Sequence, residues 1–307
     1  MLNKKFTLVT ILGPTASGKT AFAAEIAFRI GGEIISADSR QIYRKMNLGT
    51  GKDYSDYMVN GIPIAFHLID IHEPGYKYNV FEFQHDFFSV YKSITGKNKM
   101  PVLCGGTGMY IEAVISGYKL INVPVSEHIR KLLENKSLND LKEILTSYKS
   151  LHNKTDTDTV KRAVRAIEIA DYYANNPQIN LEIPIINPVF IGLKYERETQ
   201  RQRITQRLHQ RLSNGMIEEV QSLLDEGIDP DDLIYYGLEY KYITQYLLGI
   251  LSYEEMVNRL NIAIHQFAKR QMTWYRKMER EGRIITWIDA EMAMTEKINL
   301  ALQILEG

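Results

Sequence analysis

Eight residues near the start of the chain form a complete phosphate-binding motif. Gly13 to Thr20, here called the phosphate loop, read Gly-Pro-Thr-Ala-Ser-Gly-Lys-Thr, which matches G-x-x-x-x-G-K-T. The N–H groups of such a loop and the positive end of the helix that follows can bind a di- or triphosphate. Lys19 would contact the outer phosphate oxygens, and Thr20 would bind a metal ion or a phosphate. The motif leaves open which phosphorylated molecule is bound.

Asp38 is a carboxylate that the sequence pattern places beside this loop. It follows the short apolar segment Glu33 to Ala37, which is a candidate strand. In open α/β sheets, binding and catalytic sites lie beyond the carboxyl ends of the strands. We therefore expect Asp38 close to the phosphate loop. An aspartate after a strand is also a common helix N-cap, and that alternative gives Asp38 no chemical role.

Basic residues are concentrated between Lys194 and Arg211, where six basic residues stand against two acidic ones. Arg203, Arg207 and Arg211 are spaced i, i+4, i+8 and share one helical face, while Arg197 lies about a third of a turn away. A solvated helix surface would explain the pattern. The preceding strand, however, would end at the same edge as the phosphate loop. We therefore expect Arg197 and Arg203 to reach the bound phosphates, because guanidinium groups pair well with phosphate oxygens.

A second basic segment, Gln266 to Lys277, alternates basic residues with Trp and Tyr on a predicted amphipathic helix. Such a mixture suits a phosphodiester backbone with exposed bases, because charge attracts the backbone and rings stack on the bases. The alternative places Phe267, Trp274 and Met278 in the core and the charges in solvent. Composition alone supports the two interpretations equally.

Strands and helices alternate over the first part of the chain. Apolar strands separated by helices are typical of an α/β fold with a parallel, doubly wound sheet. The fourth strand runs into Gly105 to Tyr110, here called the glycine turn, which again precedes a helix. The predicted strands are Phe6 to Leu12, Glu33 to Ala37, Ile64 to Ile71 and Pro101 to Cys104, and the predicted helices are Ala21 to Ile30 and about Val80 to Ile94.

The rest of the chain is mainly helical. Charged helical segments between Val123 and Asn180 predict a helical insertion. A strand is predicted again at Pro188 to Lys194, helices continue to Gly282, and Ile284 to Ile288 predicts a last short strand. We therefore expect a P-loop core in residues 1–122, a helical insertion in 123–180, and the second part of the core with C-terminal helices in 181–307.

Composition narrows the class of protein. The chain has 307 residues, of which 45% are hydrophobic, and its 37 basic and 37 acidic residues balance, so a nucleic-acid partner would need a local basic patch. A single cysteine, Cys104, excludes an internal disulfide. We find no signal-peptide pattern and no apolar run approaching the roughly 20 residues of a membrane span. These features predict a cytoplasmic enzyme that does not associate with membranes, and we expect a monomer.

Five segments, in this order, resemble those of the bacterial tRNA dimethylallyltransferases. The resemblance extends from about Leu8 to Trp287, and its second and fifth segments are far more restrictive than a phosphate loop alone. The five segments are Gly-Pro-Thr-Ala-Ser-Gly-Lys-Thr, Ser-Ala-Asp-Ser-Arg-Gln-Ile-Tyr, His-Leu-Ile-Asp-Ile, Gly-Gly-Thr-Gly-Met-Tyr and Ala-Lys-Arg-Gln-Met-Thr-Trp-Tyr-Arg.

The resemblance implies transfer of a prenyl group from dimethylallyl diphosphate to N6 of adenosine 37, just 3′ of the tRNA anticodon. The phosphate loop would then hold the leaving diphosphate. Lys19, the loop amides, Mg²⁺ at Thr20, and Arg197 and Arg203 would stabilise the negative charge that develops on it. The implied diphosphate contacts are Gly13, Pro14, Thr15, Ala16, Ser17, Gly18, Lys19 and Thr20.

Asp38 is the candidate for the general base that this reaction would need. The adenine amine is a poor nucleophile, because its lone pair is delocalised into the ring. A positioned base that removes an N6 proton would accelerate the reaction by about 10²- to 10⁴-fold. The adenine must first leave the anticodon-loop stack. Thr107, on the glycine turn, would contact the base or its phosphate.

The resemblance also implies contacts with the anticodon stem-loop, and it makes the helical insertion a tRNA-facing lobe. Two segments depart from the family pattern, namely Lys154 to Thr159 and Gly237 to Lys241, and both lie in parts expected to face tRNA. The implied tRNA contacts are Asp38, Ser39, Arg40, Gln41, Thr107, Arg130, Lys161, Arg162, Arg165, Lys269, Arg270, Gln271, Thr273, Trp274 and Arg276.

Two other classes of function remain open at this point. A small-molecule enzyme, either a nucleotide kinase or an adenylate prenyltransferase, would use the same phosphate loop but would not need the basic helix from Lys269 to Arg276. A non-catalytic, nucleotide-responsive RNA-binding protein would use Asp38 only as a helix cap.

Overall fold

The computed structural model describes residues 6–148, 157–177 and 182–307. One compact unit comprises the described residues up to 118 together with residues 184–307, and a second unit comprises the described residues between 119 and 183. The larger unit contains the sheet, and the smaller one is helical.

A six-stranded parallel sheet organises the larger unit. The strand order is β5-β2-β6-β1-β7-β8, which confirms the predicted doubly wound α/β fold. A separate antiparallel pair is formed by β3 and β4. The strands are β1 (Leu8–Leu12), β2 (Gly32–Ser36), β3 (Met58–Val59), β4 (Ile62–Pro63), β5 (Phe66–His67), β6 (Met100–Gly105), β7 (Pro188–Lys194) and β8 (Ile285–Asp289).

Helices follow most of these strands. The helices are α1 (Lys19–Ile30), α2 (Val80–Gly96), α3 (Gly108–Ile115), α4 (Glu127–Leu133), α5 (Leu138–Tyr148), α6 (Val160–Asn175), α7 (Arg197–Ser213), α8 (Met216–Asp225), α9 (Pro230–Tyr235), α10 (Leu238–Leu247), α11 (Tyr253–Arg280) and α12 (Met294–Glu306).

Alternate residues of β1 pack into two different hydrophobic clusters. Leu8 and Leu12 belong to one buried cluster, and Val9 and Ile11 belong to the other. Because successive side chains of a strand point to opposite faces, helices must cover both faces of the sheet. Residues of α1 and α12 complete the cluster around Val9, and residues of α2, α3 and α7 to α11 complete the cluster around Leu8.

The long helix α11 begins at a capping box. Ser252 Oγ accepts a hydrogen bond from the N–H of Glu255, and the Glu255 carboxylate accepts one from the N–H of Ser252. These bonds satisfy two N–H groups that a helix start leaves free. Met256, Leu260 and Ile264 are buried at helical spacing. One face of α11 is thus held against the core, and the other is left to solvent.

The predicted third strand, Ile64 to Ile71, is wrong in its extent. Only Phe66 and His67 pair with β2. Leu68 and Asp70 have positive φ angles of 60° and 54°, which an extended strand does not permit. Instead, the N–H of Asp70 donates to the carbonyl of Gln41 at 3.1 Å, so the segment joins the loop after β2.

The described residues of the smaller unit form three helices. Leu133 of α4, Leu141 and Leu145 of α5, and Ala163 and Ile167 of α6 make one buried cluster. This cluster gives the unit a core of its own. Within the described ranges of the whole chain, we find no helix with the length and apolar composition needed to cross a membrane.

Candidate active site

A cavity of about 880 Å³ lies in the larger unit, beyond the carboxyl ends of β1, β2 and β6. The phosphate loop follows β1, Asp38 follows β2, and the glycine turn follows β6. All three line the cavity, as do residues of α7, the start of α10 and α11. Parallel strands thus bring together three segments that lie far apart in the sequence.

The backbone conformation of the phosphate loop allows a phosphate to approach it closely. Ala16 and Gly18 have positive φ angles of 62° and 77°. A Cβ at Gly13 would lie 2.5 Å from Ser17 Oγ, so only glycine fits there. Ser17 Oγ is buried and has no hydrogen-bond partner among the residues described. Because a buried hydroxyl without a partner is costly, Ser17 is suited to a bound phosphate oxygen.

Lys19 is the first residue of α1 and lines the same cavity. Burial lowers the pKa of Lys19, while the nearby Cys104 and Asp38 raise it. A cation in such a poorly hydrated position attracts a phosphate more strongly than a cation in water. Lys19 is therefore placed to bind a diphosphate.

Asp38 is not the cap of a helix, since β2 is followed by a loop rather than a helix. Asp38 Oδ1 accepts a hydrogen bond from the N–H of Arg40 at 2.9 Å, which fixes a local turn. The other oxygen, Oδ2, makes no hydrogen bond to a described residue. One oxygen of Asp38 therefore orients the carboxylate, and the other can accept a proton within the cavity.

Thr107 joins the glycine turn to the loop after β2. Its N–H donates to the carbonyl of Ala37 at 3.1 Å, and its Oγ1 accepts from the N–H of Ser39 at 3.1 Å. A Cβ at Gly105 would lie 2.3 Å from the carbonyl oxygen of Ala37, so this approach requires glycine. These contacts hold Asp38 and Thr107 on adjacent segments.

The predicted tRNA contacts after Asp38 also line the cavity. The Arg40 guanidinium lies 5.6 Å from the centre of the Tyr235 ring. Gln41, in contrast, is buried, and its side chain bonds within the protein, to Ser36 Oγ at 3.2 Å and to the carbonyl of Gly51 at 3.4 Å. Arg40 therefore remains available to RNA, while the amide of Gln41 is already in use.

The arginines that line the cavity differ from the pair expected to reach the phosphates, Arg197 and Arg203. Arg203, Arg207 and Arg211 line the cavity, whereas Arg197 is exposed and does not. Arg197 lies six residues before Arg203, which places it about 9 Å along the helix axis and on another face. Arg207 and Arg211 were not selected from the sequence, although their i, i+4 spacing with Arg203 was visible.

Arg207 and Arg211 are close to each other and to acidic groups. Burial and the neighbouring Arg211 lower the pKa of Arg207 to about 10, so its guanidinium still carries a full charge at neutral pH. Arg207 Nη1 donates to Thr15 Oγ1 at 3.5 Å, and Arg211 Nη2 lies 3.4 Å from Asp53 Oδ2. Two cations therefore lie beside the phosphate loop.

Three acidic residues of the cavity were missed by the sequence analysis, namely Asp53, Asp56 and Glu239. Burial, assisted by Asp53, raises the pKa of Asp56. Burial also raises the pKa of Glu239, although its own backbone N–H and Arg211 oppose the shift. Glu239 belongs to the segment Gly237 to Lys241 that departs from the family pattern, and residues 237–240 of that segment line the cavity.

Oxygen donors in the cavity fit a magnesium ion that arrives with a diphosphate. Thr20, Asp38, Asp53 and Asp56 offer hydroxyl and carboxylate oxygens. Among the described residues, no group of three or more His, Cys, Asp or Glu side chains could hold a metal by itself. Mg²⁺ commonly uses one or two protein ligands and completes its shell with phosphate oxygens and water.

A carboxylate of α8 fixes the loop that carries Asp53 and Asp56. Glu219 accepts hydrogen bonds from the N–H groups of Asn47, Leu48 and Gly49 at 2.8, 2.7 and 3.0 Å. It also accepts one from the hydroxyl of Tyr240 at 2.6 Å. Residues 48–51 line the cavity, so Glu219 sets the position of one cavity wall.

Helix α11 combines the two alternatives left open for its sequence. Met278 is buried as core, while Lys269, Thr273 and Arg276 are exposed. Arg270, Gln271 and Trp274 line the cavity, together with Phe267. Lys269, Thr273 and Arg276 do not line it. They belong to the solvent face of the helix.

Gln271 differs most from its expected role as a tRNA contact. Its side chain is buried and bonds to two backbone groups, accepting from the N–H of Thr15 at 2.8 Å and donating to the carbonyl of Gly106 at 3.0 Å. The Trp274 ring packs against Gly108, where a Cβ would lie 2.3 Å from Cγ. Both side chains thus contact the loops around the cavity: Gln271 bonds to the phosphate loop and the glycine turn, and Trp274 packs against the glycine turn.

The smaller unit presents its basic residues in two ways. Arg130 and Arg165 pair with the buried carboxylate of Glu168 at 2.9 and 3.1 Å, so they stabilise the unit itself. Lys161 and Arg162 are exposed on α6. Of the departing segment Lys154 to Thr159, residues 154–156 lie outside the described residues.

Two protein-family models match the chain. The model described as IPP transferase matches residues 41–278, and the model described as isopentenyl transferase matches residues 6–61. Among curated proteins, tRNA dimethylallyltransferase 1 of Parabacteroides distasonis is 60% identical over 305 residues, which is 99% of either chain. The tRNA dimethylallyltransferase 2 of Bacteroides fragilis is 60% identical over 301 residues, which is 98% of either chain.

Solved structures agree with this similarity. The full-length tRNA isopentenylpyrophosphate transferase of Bacillus halodurans has a TM-score of 0.71 and 32% identity, with 98% of this chain and 97% of that chain covered. A eukaryotic dimethylallyltransferase acting on tRNA has a TM-score of 0.77 over 96% of this chain and 76% of that chain. Its identity is 19%, so that likeness concerns the fold alone.

Proposed function

The chain belongs to the tRNA dimethylallyltransferase family, and we propose that it transfers the dimethylallyl group of dimethylallyl diphosphate to N6 of adenosine 37 in tRNA. The observation that carries this proposal is the shared cavity. It holds an anion-binding loop on one strand end and a carboxylate with a free oxygen on the next strand but one. A prenyl transfer needs both, one for the leaving group and one for the attacking amine.

The phosphate loop and the cations beside it would bind the diphosphate. Breaking the allylic carbon–oxygen bond leaves its electron pair on the diphosphate, so negative charge increases there in the transition state. Lys19, Arg203, Arg207 and Arg211 all line the cavity, and their fixed charges stabilise this developing charge without rearrangement. In this proposal, Arg207 and Arg211 replace Arg197, which the sequence analysis had predicted for this role.

Asp38 would act as the general base. As N6 of adenine bonds to the allylic carbon, it must lose a proton, and Asp38 Oδ2 is the free oxygen that accepts it. The hydrogen bond from the N–H of Arg40 to Oδ1 keeps the carboxylate oriented. Thr107 and Ser39, on the adjoining segments, would position the flipped adenine.

Magnesium would accompany the diphosphate. Thr20, at the end of the phosphate loop, is the residue that we assign to the ion, and Asp53 and Asp56, which line the same cavity, are the acceptors that we propose for its water ligands. The ion would neutralise charge on the leaving group.

The tRNA would be bound through its anticodon stem-loop. Arg40 and Arg270 at the cavity and the exposed Lys269 and Arg276 of α11 supply positive charge to the phosphates. In the smaller unit, the exposed Lys161 and Arg162 are proposed as further contacts. We propose a monomer as the active form.

Incubation of the purified protein with tRNA and radiolabelled dimethylallyl diphosphate tests the proposal. We expect labelled tRNA, and nuclease digestion followed by mass spectrometry should place the group on N6 of adenosine 37. AMP serves as the competing acceptor. Labelling of AMP in preference to tRNA, or no labelling of either, would reject the proposed reaction.

A further inference from the structure

Helix α11 contacts both the phosphate loop and the glycine turn through one buried side chain. Gln271 accepts from the N–H of Thr15 through Oε1 at 2.8 Å, and it donates to the carbonyl of Gly106 through Nε2 at 3.0 Å. Its exposed fraction is 6%. We infer that Gln271 is a positioning residue, which fixes the diphosphate-binding loop relative to the turn that carries Thr107.

The packing around Gln271 restricts which residue can stand at position 106. A Cβ at Gly106 would lie 2.2 Å from Nε2 of Gln271, so the turn must be glycine where the amide approaches. The peptide of Thr15 is also held from the other side, because Gln200 of α7 donates from Nε2 to its carbonyl at 2.6 Å. The position of Thr15 is thus determined by two helices, and α11 also links it to the turn.

A second contact from the same face of α11 supports the assignment. Tyr275, one helical turn after Gln271, is fully buried, and its hydroxyl donates to the carbonyl of Gly13 at 3.1 Å. Side chains four residues apart share one helix face. This face therefore bonds to the phosphate loop at both Gly13 and Thr15.

The two ends of the Gln271 bridge belong to the two halves of the proposed reaction. Thr15 belongs to the phosphate loop that would bind the leaving group, and Gly106 precedes Thr107, which is bonded to Ser39 beside Asp38. Loss of the bridge would leave the N–H of Thr15 and the carbonyl of Gly106 unpaired in a buried place, and both segments would relax. The role in turnover rests on the proposed function, but the role in diphosphate binding does not.

Gln271→Met tests the inference, because methionine has a similar length and makes neither hydrogen bond. We expect the Kd for inorganic diphosphate with Mg²⁺, measured by calorimetry, to rise about tenfold, in line with the loss of buried hydrogen bonds. We also expect kcat for tRNA prenylation to fall, while the Kd for tRNA stays close to that of the wild type. Gln266→Met, the same substitution at an exposed position of α11, is the matched control and should change none of the three.

Tyr275→Phe provides a second variant that keeps the packing of the ring. It should also weaken diphosphate binding without weakening tRNA binding. A merely structural role for Gln271 would lower the fraction of active protein and leave the Kd for diphosphate unchanged. That result, or a loss confined to tRNA affinity, would overturn the inference. If instead the wild type binds diphosphate but prenylates no tRNA, the proposed function fails while the calorimetric comparison still decides the role of Gln271.

Discussion

Asp38 uses its two carboxylate oxygens differently, and one substitution can separate the two uses. Asp38→Asn keeps an oxygen that accepts from the N–H of Arg40, but it removes the basic oxygen. We expect the rate of prenyl transfer in a single turnover to fall by about 10²- to 10⁴-fold, which is the usual contribution of a general base. Rapid-quench assays with labelled dimethylallyl diphosphate measure that rate.

Binding of tRNA to the Asp38→Asn variant is the control and should be preserved. The variant Asp38→Ala removes the turn contact as well and should be no more active. A near-normal rate for the asparagine variant would limit Asp38 to its backbone contact.

Arg207 and Arg197 form a matched pair on one helix. Arg207 lines the cavity beside Thr15, whereas Arg197 is exposed. Arg207→Ala should raise the KM for dimethylallyl diphosphate by about 10- to 100-fold, since a charge-assisted hydrogen bond contributes about 1.5–3 kcal/mol. Arg197→Ala should leave KM near the wild-type value. Steady-state kinetics at saturating tRNA checks both, and equal effects would contradict the placement of the two arginines.

The residues of the site could be predicted only where local sequence decides their position. The phosphate loop and Asp38 follow strands directly, so their meeting at the sheet edge could be foreseen. The roles of Arg197 and Arg207 depend on how α7 is rotated about its axis, which periodicity does not define. Gln271 bonds to Thr15, which is 256 positions away, and to Gly106, which is 165 positions away. Nothing in its own segment indicated those partners.

At the scale of elements, helix α8 holds the loop after β2 through Glu219. Glu219→Ala leaves three backbone N–H groups and the Tyr240 hydroxyl without this acceptor. We expect the free energy of unfolding to fall by roughly 3 kcal/mol, because each bond to a charged group contributes about 1.5–3 kcal/mol and water recovers part of it. The KM for dimethylallyl diphosphate should rise as well. Urea unfolding and steady-state kinetics check the two effects.

Glu218→Ala, an exposed neighbour on the same helix, is the control and should leave both quantities unchanged. Stability lost without any change in KM would mean that the loop does not shape the cavity.

Glu33 makes the free energy of unfolding depend on pH in the acid range. Burial raises the pKa of this carboxyl, but hydrogen bonds from Lys99 and His67 outweigh that effect and lower it from 4.5 to about 2. The folded form therefore releases its proton more easily than the unfolded chain. The stabilisation is complete above about pH 4.5 and is lost as the pH falls towards about 2. Its size is about 2–3 kcal/mol, since solvent screens the half-exposed lysine partners.

Glu33→Gln should accordingly be less stable than the wild type at about pH 7, and the difference should narrow as the pH falls through the range from about 4.5 to about 2. Urea unfolding at several pH values measures it. Glu291→Gln, at an exposed position, serves as the control. A difference that does not vary with pH would show that Glu33 acts through packing alone.

The elements themselves were largely predictable. The apolar segment Pro188 to Lys194 was expected as a strand and is β7 over the same residues. The segment Ile64 to Ile71 was expected as one strand because its composition is apolar, but the positive φ angles of Leu68 and Asp70 end it early. Backbone reversals at residues other than glycine have no clear sequence signal, and this is why the extent of β5 was missed.

At the scale of the whole molecule, a balanced net charge means that RNA binding depends on local patches. The double variant Lys269→Ala and Arg270→Ala should reduce the slope of log Kd against log salt by about 1 for each lost phosphate contact. Filter binding of tRNA at several salt concentrations measures this slope. Lys92→Ala, on the exposed side of α2, is the control. An unchanged slope in the double variant would assign these charges to ordinary helix solvation.

The position of β1 in the sheet has a consequence for how the protein is synthesised. One neighbour, β6, ends at Gly105, but the other, β7, begins only at Pro188. At about 5–20 residues per second, the ribosome needs several seconds to translate the intervening segment. During that interval the nascent chain exposes an unpaired strand edge, to which other chains can add. Chaperone binding and aggregation would compete with folding mainly in this interval.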